Sequence, residues 1–236
     1  MKPGNNNQSL NYKNLSEFNP HELRELALYL HTRGFNVVPV HYKEPIGSWS
    51  PDRRLTREEL EKRLESEKLT GIAIVGGQIE NEKAKNLIAV LIDVDNPLIL
   101  QKTQKLAKLL EKTAVWKTGL RCPKCGDKHI ERTGEKFRCK NCGEVFTSDE
   151  ALRGYGALVF VQKEDNIKLT TRRLKAVEIL VTNYQLIPPS LHPSGVRYEW
   201  VIDLNTITVL SPARFEEIIR EVERAVKGEE KEEKKE

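Results

Sequence analysis

The chain has 236 residues, 38% of them hydrophobic and 31% charged, with a formal net charge of +4 and a pI near 8.8. That length holds one well-packed core, or a domain with a small insertion, and the mild positive charge permits an anionic partner without demanding one. No apolar run approaches the roughly 20 residues that span a bilayer, and the polar start MKPGNNNQSLNYKN lacks the apolar segment of a signal peptide, so neither a membrane span nor export is expected and a cytoplasmic protein is. Abundant Lys and Glu with a single Met suit a thermophile.

Residues 1–18 read as disordered. A helix follows in NPHELRELALYLHTRG, with Asn19 as cap, Pro20 in the first turn, a stripe of Leu23, Leu26, Ala27 and Leu30, and Gly34 as terminator. FNVVPV is then a strand and HYKEPIGSW a loop. A second helix lies in LTREELEKRLES, where Thr56 and Glu59 fit a capping box. TGIAIVGGQ is a short buried strand broken at Gly76 and Gly77. NLIAVLIDVDNP is another strand, PLILQKTQKLAKLLEKT an amphipathic helix and AVWKTG a strand. After an interruption at 120–150, strands resume with YGALVFVQ, AVEILV, YQLIPP, VRYEWV and TITVL. SPARFEEIIREVERAVKG closes the chain as a helix capped by Ser211, ahead of a charged segment at 227–236 that reads as a helix end or tail. Helices flank the first half and strands dominate the second, which predicts an α+β fold with a mixed or antiparallel central sheet.

Seven apolar residues fill the eight positions 87–94, and two carboxylates, Asp93 and Asp95, close the run. Strand side chains alternate faces, so residues i and i+2 point the same way, about 7 Å apart at Cα. Two such anions repel unless a proton or cation sits between them. A divalent metal is one answer. A helix-capping Asp beside an exposed loop Asp is the other.

All four cysteines lie in the interruption, as CPKCG and CKNCG, with thirteen residues between Cys125 and Cys139. Two residues within each pair and a Gly after it let the backbone wrap a metal while the thiolates converge, which predicts a tetrahedral zinc at Cys122, Cys125, Cys139 and Cys142. Four thiolates leave no open position, so the site reads as structural. Arg121, Lys124, Lys128, Arg132, Lys136, Arg138 and Lys140 surround it, either as a contact for nucleic-acid backbone or as a solvated basic surface.

Residues 187–200 read IPPSLHPSGVRYEW. Three prolines stiffen this loop around Ser190 and His192, and Gly195 permits a sharp turn toward Arg197. Hydroxyl, imidazole and guanidinium make a candidate anion-binding group. A rigid hairpin with an exposed His is the plain alternative.

In the order KEPIGSW, GIAIVGG, VLIDVDNP, VEILV and PPSLHPSGVRYEW, these stretches resemble the bifunctional primase-polymerase domain of the archaeo-eukaryotic primase superfamily, the type in replication proteins of archaeal plasmids and viruses. The resemblance implies an RRM-related core over 19–226 with an inserted zinc stem at 120–150. It also implies template-dependent nucleotidyl transfer, as a DNA primase and polymerase, by a two-metal mechanism. Asp93, Asp95 and, by position, Glu178 would hold magnesium or manganese, while Ser190, His192, Arg197, Lys43 and Arg153 would grip the triphosphate. Single-stranded DNA template and primer, ribo- or deoxynucleoside triphosphates, and a helicase domain or other replication proteins are the implied partners. One departure stands out. The family's small-x-His motif, whose His contacts the nucleotide, meets Ala157 in RGYGALVF, so His192 or Arg153 replaces it, the alignment slips, or the protein is a weakly active or non-catalytic DNA-binding subunit.

Overall fold

In the computed structural model, residues 19–164, 168–193 and 195–233 are described, with 229–233 as helical backbone only. Residues 1–18 and the last of the charged segment therefore lie outside the description. Helix α1 (Pro20–Thr32) starts where Asn19 accepts the His21 N–H. It stops as Gly34 takes φ 91°, a position where a Cβ would meet the Glu80 carbonyl at 2.6 Å. Strands β1 (Asn36–His41) and β2 (Glu44–Pro45) form a hairpin, and α2 (Arg57–Leu64) follows with both bonds of the Thr56–Glu59 capping box made. Next come β3 (Gly71–Val75), β4 (Gly77–Gln78) and β5 (Leu87–Val94).

The single helix expected at 97–113 is instead a 3-10 turn, Pro97–Gln101, and a short α3 (Gln104–Leu110). Thr103 breaks it: its backbone leaves helical geometry at φ −126°, and its hydroxyl donates back to the Ile99 carbonyl at 2.9 Å. The remaining elements are β6 (Ala114–Arg121), β7 (Ile130–Thr133), β8 (Lys136–Cys139), β9 (Val145–Phe146), β10 (Leu152–Gln162), β11 (Arg172–Arg173), β12 (Val177–Leu180), β13 (Tyr184–Ile187), β14 (Glu199–Ile202), β15 (Val209–Leu210) and α4 (Pro212–Glu233). Helix α4 thus continues into the charged segment.

These strands make an α+β architecture with two main sheets rather than one. The smaller has the order β13-β3-β1-β2. The larger runs β11-β12-β5-β10-β6-β14, with β4 on β5 and β15 on β10. Pairing is antiparallel throughout except for β10 with β15. Strand β5 alternates between two cores. Ala89 and Leu91 join β1, β3, α1 and α2 in the core shared by both sheets, while Val90, Ile92 and Val94 pack with α3 and α4 on the other face. Truncating a fully buried residue such as Leu91 to Ala costs about 2–5 kcal/mol in such cores. By the same alternation, Asp93 points to the side where the two sheets face each other. Strands β7, β8 and β9 form a separate three-stranded sheet around the cysteines, packed on Phe137 and Phe146.

Candidate active site and the four-cysteine module

Asp93 pairs directly with Glu178 on β12 and with Gly156 on β10. Its side chain is half-buried, and Oδ1 is buried without a hydrogen-bond partner. Burial, then the charge of Asp95 and of Glu178, pushes the Asp93 carboxyl up to about 7, against the pull of Arg121 and Lys43. An orphaned buried oxygen beside a second carboxylate is an environment that a divalent cation fits. Asp95 differs. The strand ends at Val94, and the Asp95 and Asn96 N–H groups both donate to the Ala176 carbonyl. The Asp95 carboxylate accepts from Arg121 at 2.7 Å and from Lys128 at 2.5 Å. Burial opposes its ionisation, but those two cations hold it below the ordinary carboxylate range. Among the described residues, the ligand atoms of the three acids do not converge as those of the cysteines do.

The acids line a cavity of about 210 Å³ together with Lys43, Thr118, Arg121, Lys128, Gln185, His192 and Tyr198. Lys43 sits in the two-residue turn between β1 and β2, where Tyr42 takes φ 51°, a left-handed value that a bulky residue adopts at a cost. The Tyr184 hydroxyl donates to the Lys43 carbonyl at 2.9 Å and steadies that turn. Burial lowers the Lys43 ammonium pKa, partly offset by Asp93. His192 lies against Gly119, where a Cβ would come within 2.5 Å of its ring. Burial, then the charges of Lys43, Arg121 and Arg153, pushes the imidazole down to about 3, so it is neutral at pH 7. A larger groove of about 1030 Å³ runs along α4, remote from the acids.

Of the residues expected to grip phosphate, Lys43 and His192 reach this cavity. Ser190 does not. It is fully buried, and its hydroxyl both accepts from the Ile72 N–H at 2.9 Å and donates to the Ile72 carbonyl at 3.0 Å, latching the loop to β3. Arg153 spends its guanidinium on the carbonyls of Thr118 and Arg197 and on Glu199. Arg197 bridges to Leu191 and donates to the Pro189 carbonyl, outside the cavity lining. Ala157 pairs with Ile92 in the α3–α4 core, on the face opposite Asp93, so a histidine there would point away from the acids. The residue in register with Asp93 is Gly156, and the Trp116 indole occupies its side-chain space, 2.2 Å from where a Cβ would stand.

The cysteine sulfurs lie within 4.8 Å of one another, with Cys122–Cys142 and Cys125–Cys139 both at 3.6 Å. A tetrahedron with ~2.3 Å zinc–sulfur bonds has edges of about 3.8 Å, so the four could hold a zinc ion. Backbone N–H groups of Lys124 and Cys125 face the Cys122 sulfur, as Asp127 does for Cys125 and Glu144 for Cys142, the support that thiolate ligands need. The module is also tied to the acid-bearing strand: the Asn96 amide donates to the Cys125 carbonyl at 3.2 Å, one residue after the aspartate that Lys128 grasps. Two of the seven basic residues around the cysteines, Arg121 and Lys128, therefore bind the Asp95 carboxylate, Arg121 from a buried position and Lys128 from a half-exposed one. Thr118, Gln185 and Tyr198 also line the cavity, outside the residues that the sequence pattern marks. For Gln185 the available signal was one polar side chain inside the apolar strand YQLI.

Three acids, two lysines, an arginine and a neutral imidazole thus line one cleft. The chain belongs to the family of bifunctional DNA primase/polymerase N-terminal domains, whose sequence profile matches residues 27–214. No curated protein matches it. Membership supports a primase/polymerase role in DNA replication and implies DNA and nucleotides as substrates. Among the described residues, no helix is long and apolar enough to cross a membrane.

Proposed function

We propose that the domain catalyses template-dependent nucleotidyl transfer, in primer synthesis and DNA polymerisation, at the cavity between the two sheets. The observation that carries this reading is the buried, unpartnered Asp93 oxygen set beside Glu178, with Lys43, Arg121 and His192 around it. Magnesium or manganese, when bound by Asp93, Glu178 and Asp95, supplies activation of the attacking hydroxyl and neutralisation of the triphosphate. Lys43 offers the phosphates a desolvated positive charge. His192, being neutral, donates a hydrogen bond from one ring nitrogen and adds no charge. Arg121 holds Asp95 by its carboxylate and its backbone carbonyl, the latter at 2.6 Å, and so fixes the strand end. The four cysteines bind structural zinc, and their module presses Lys128 onto the site.

That same ion pairing favours a second reading, a DNA-binding replisome subunit with little or no synthesis, because Asp95 is already neutralised by Arg121 and Lys128. Primer synthesis on single-stranded DNA, with labelled ribo- or deoxynucleotides and either metal, separates the two. Products that vanish in Asp93→Asn support transfer at this site. DNA binding without any product, under every nucleotide and metal combination, supports the subunit reading. A partner helicase or other replication protein would extend either role.

A further inference from the structure

The acid-lined cavity adjoins a second one of about 270 Å³, with which it shares five lining residues. Thr118, Arg121, Lys128 and His192 line only the first, which is polar and charged. Arg173, Leu180, Asn183, Tyr184 and Leu186 line only the second, which sets leucine and aromatic surface beside a guanidinium and an amide. Each alone is smaller than the roughly 300–1,000 Å³ of a ligand pocket, but joined they fall in that range. Asp93, Glu178, Lys43, Gln185 and Tyr198 border both. A nucleoside triphosphate laid across the junction, phosphates toward the charges and base toward the leucines and Tyr184, places its sugar at that shared wall.

Gln185 stands there from β13 with 6% of its surface exposed, and neither its Oε1 nor its Nε2 has a hydrogen-bond partner. Buried polar atoms are nearly always paired, so an amide with both ends open needs an explanation. A hydroxyl is donor and acceptor at once and satisfies an amide that offers both. We infer that Gln185 hydrogen-bonds a sugar hydroxyl of the incoming nucleotide and sets discrimination between ribo-, deoxy- and dideoxynucleotides. This rests on the nucleotidyl-transfer reading above.

The test compares wild type with Gln185→Leu in two measurements. One is thermal melting without nucleotide. The other is binding of the ribo-, 2′-deoxy- and 2′,3′-dideoxy-triphosphates of one base, by calorimetry with magnesium and no template. Because leucine removes two unsatisfied buried atoms, the variant should melt higher than wild type. Wild type should bind one member of the series about 10- to 100-fold tighter than the analogue lacking the hydroxyl that is read, and the leucine variant should collapse that ratio toward one. Gln185→Glu, which keeps shape and an acceptor but loses the donor, should fall between them. A lower melting temperature in the leucine variant, or equal weakening of all three ligands, would make Gln185 a structural residue and overturn the inference, as would an unchanged ratio. Discrimination that shifts between bases instead of sugars would also overturn it, placing the amide at the base edge. If wild type binds no triphosphate at all, the transfer reading itself falls and takes this inference with it.

Discussion

The cysteine module could hold a zinc ion and the acid-bearing sheet end is proposed to hold magnesium or manganese, yet the two are organised in opposite ways. The cysteines come from two short turns, their sulfurs already sit near tetrahedral spacing, and backbone N–H groups support them. The acids come from two strands and a bend, and each has a different electrostatic state. Asp93 has one oxygen buried and is reluctant to ionise, Asp95 is saturated by two cations, and Glu178 lies opposite Asp93 within reach of Arg173 at 3.8 Å. A structural site is complete without its surroundings. A reactive site is left under tension so that a substrate and its ions finish it.

The largest test of that contrast is Asp93→Asn. Nucleotide transfer should fall by at least 100- to 1,000-fold, the scale for removing one charge-stabilising group, in a primer-extension assay. Stability should move the other way. The folded state binds the Asp93 proton more tightly than the unfolded chain does, so this group's contribution is present below about pH 4 and is lost as pH rises through about 7. Without divalent ions, the melting temperature of Asp93→Asn should therefore exceed that of wild type by a margin that widens from pH 4 to pH 8. A margin that is flat with pH would mean Asp93 ionises freely and is not held under tension.

Cys139→Ser should break the other region. Metal analysis should fall from one zinc per chain to none, and hydrogen exchange should rise across 122–146 while β5 and β10 stay protected. If the Asn96 and Lys128 contacts couple the two regions, exchange at Asp95 and Asn96 should rise as well. Protection there that survives zinc loss would uncouple them.

A smaller effect is expected at His192. A charged imidazole would contribute a charge-assisted bond, worth tenfold to a hundredfold in nucleotide affinity. Held down to about 3, the ring is neutral, so His192→Ala should raise the KM for nucleotide only about two- to tenfold. The ratio of mutant to wild-type KM should be constant between pH 5 and 8. A ratio that grows below pH 6.5 would show the ring titrating normally. The smallest expected change is in Lys128→Met. Its side chain is about half exposed, so freeing Asp95 should tighten manganese binding only about two- to fivefold, measured by electron paramagnetic resonance.

Much of the molecule was legible in local pattern. The Asn19 cap, the Thr56–Glu59 box, the strand that ends at the aspartates and the paired cysteines are each set by residues within a few positions of one another, and each formed as its chemistry required. The break at Thr103 was missed because a threonine is compatible with a helix until its hydroxyl turns back on the chain. Ser190 looked like a phosphate ligand for a similar reason. Its loop is stiff and polar, and only the position of Ile72, 118 residues earlier, shows that the hydroxyl is already occupied.

What the sequence by itself determined was where the acids, the thiols and the turn-forming residues stand along the chain, because strand alternation, capping and metal-ligand spacing act over a few residues. Which face Ala157 takes, which carboxylate is neutralised, whether His192 is charged and that Gln185 is left unpaired were decided only by the tertiary structure. Those properties depend on burial and on charges brought from β1, β6, β12 and the cysteine module. Register between strands distant in sequence sets them, and no local periodicity encodes it.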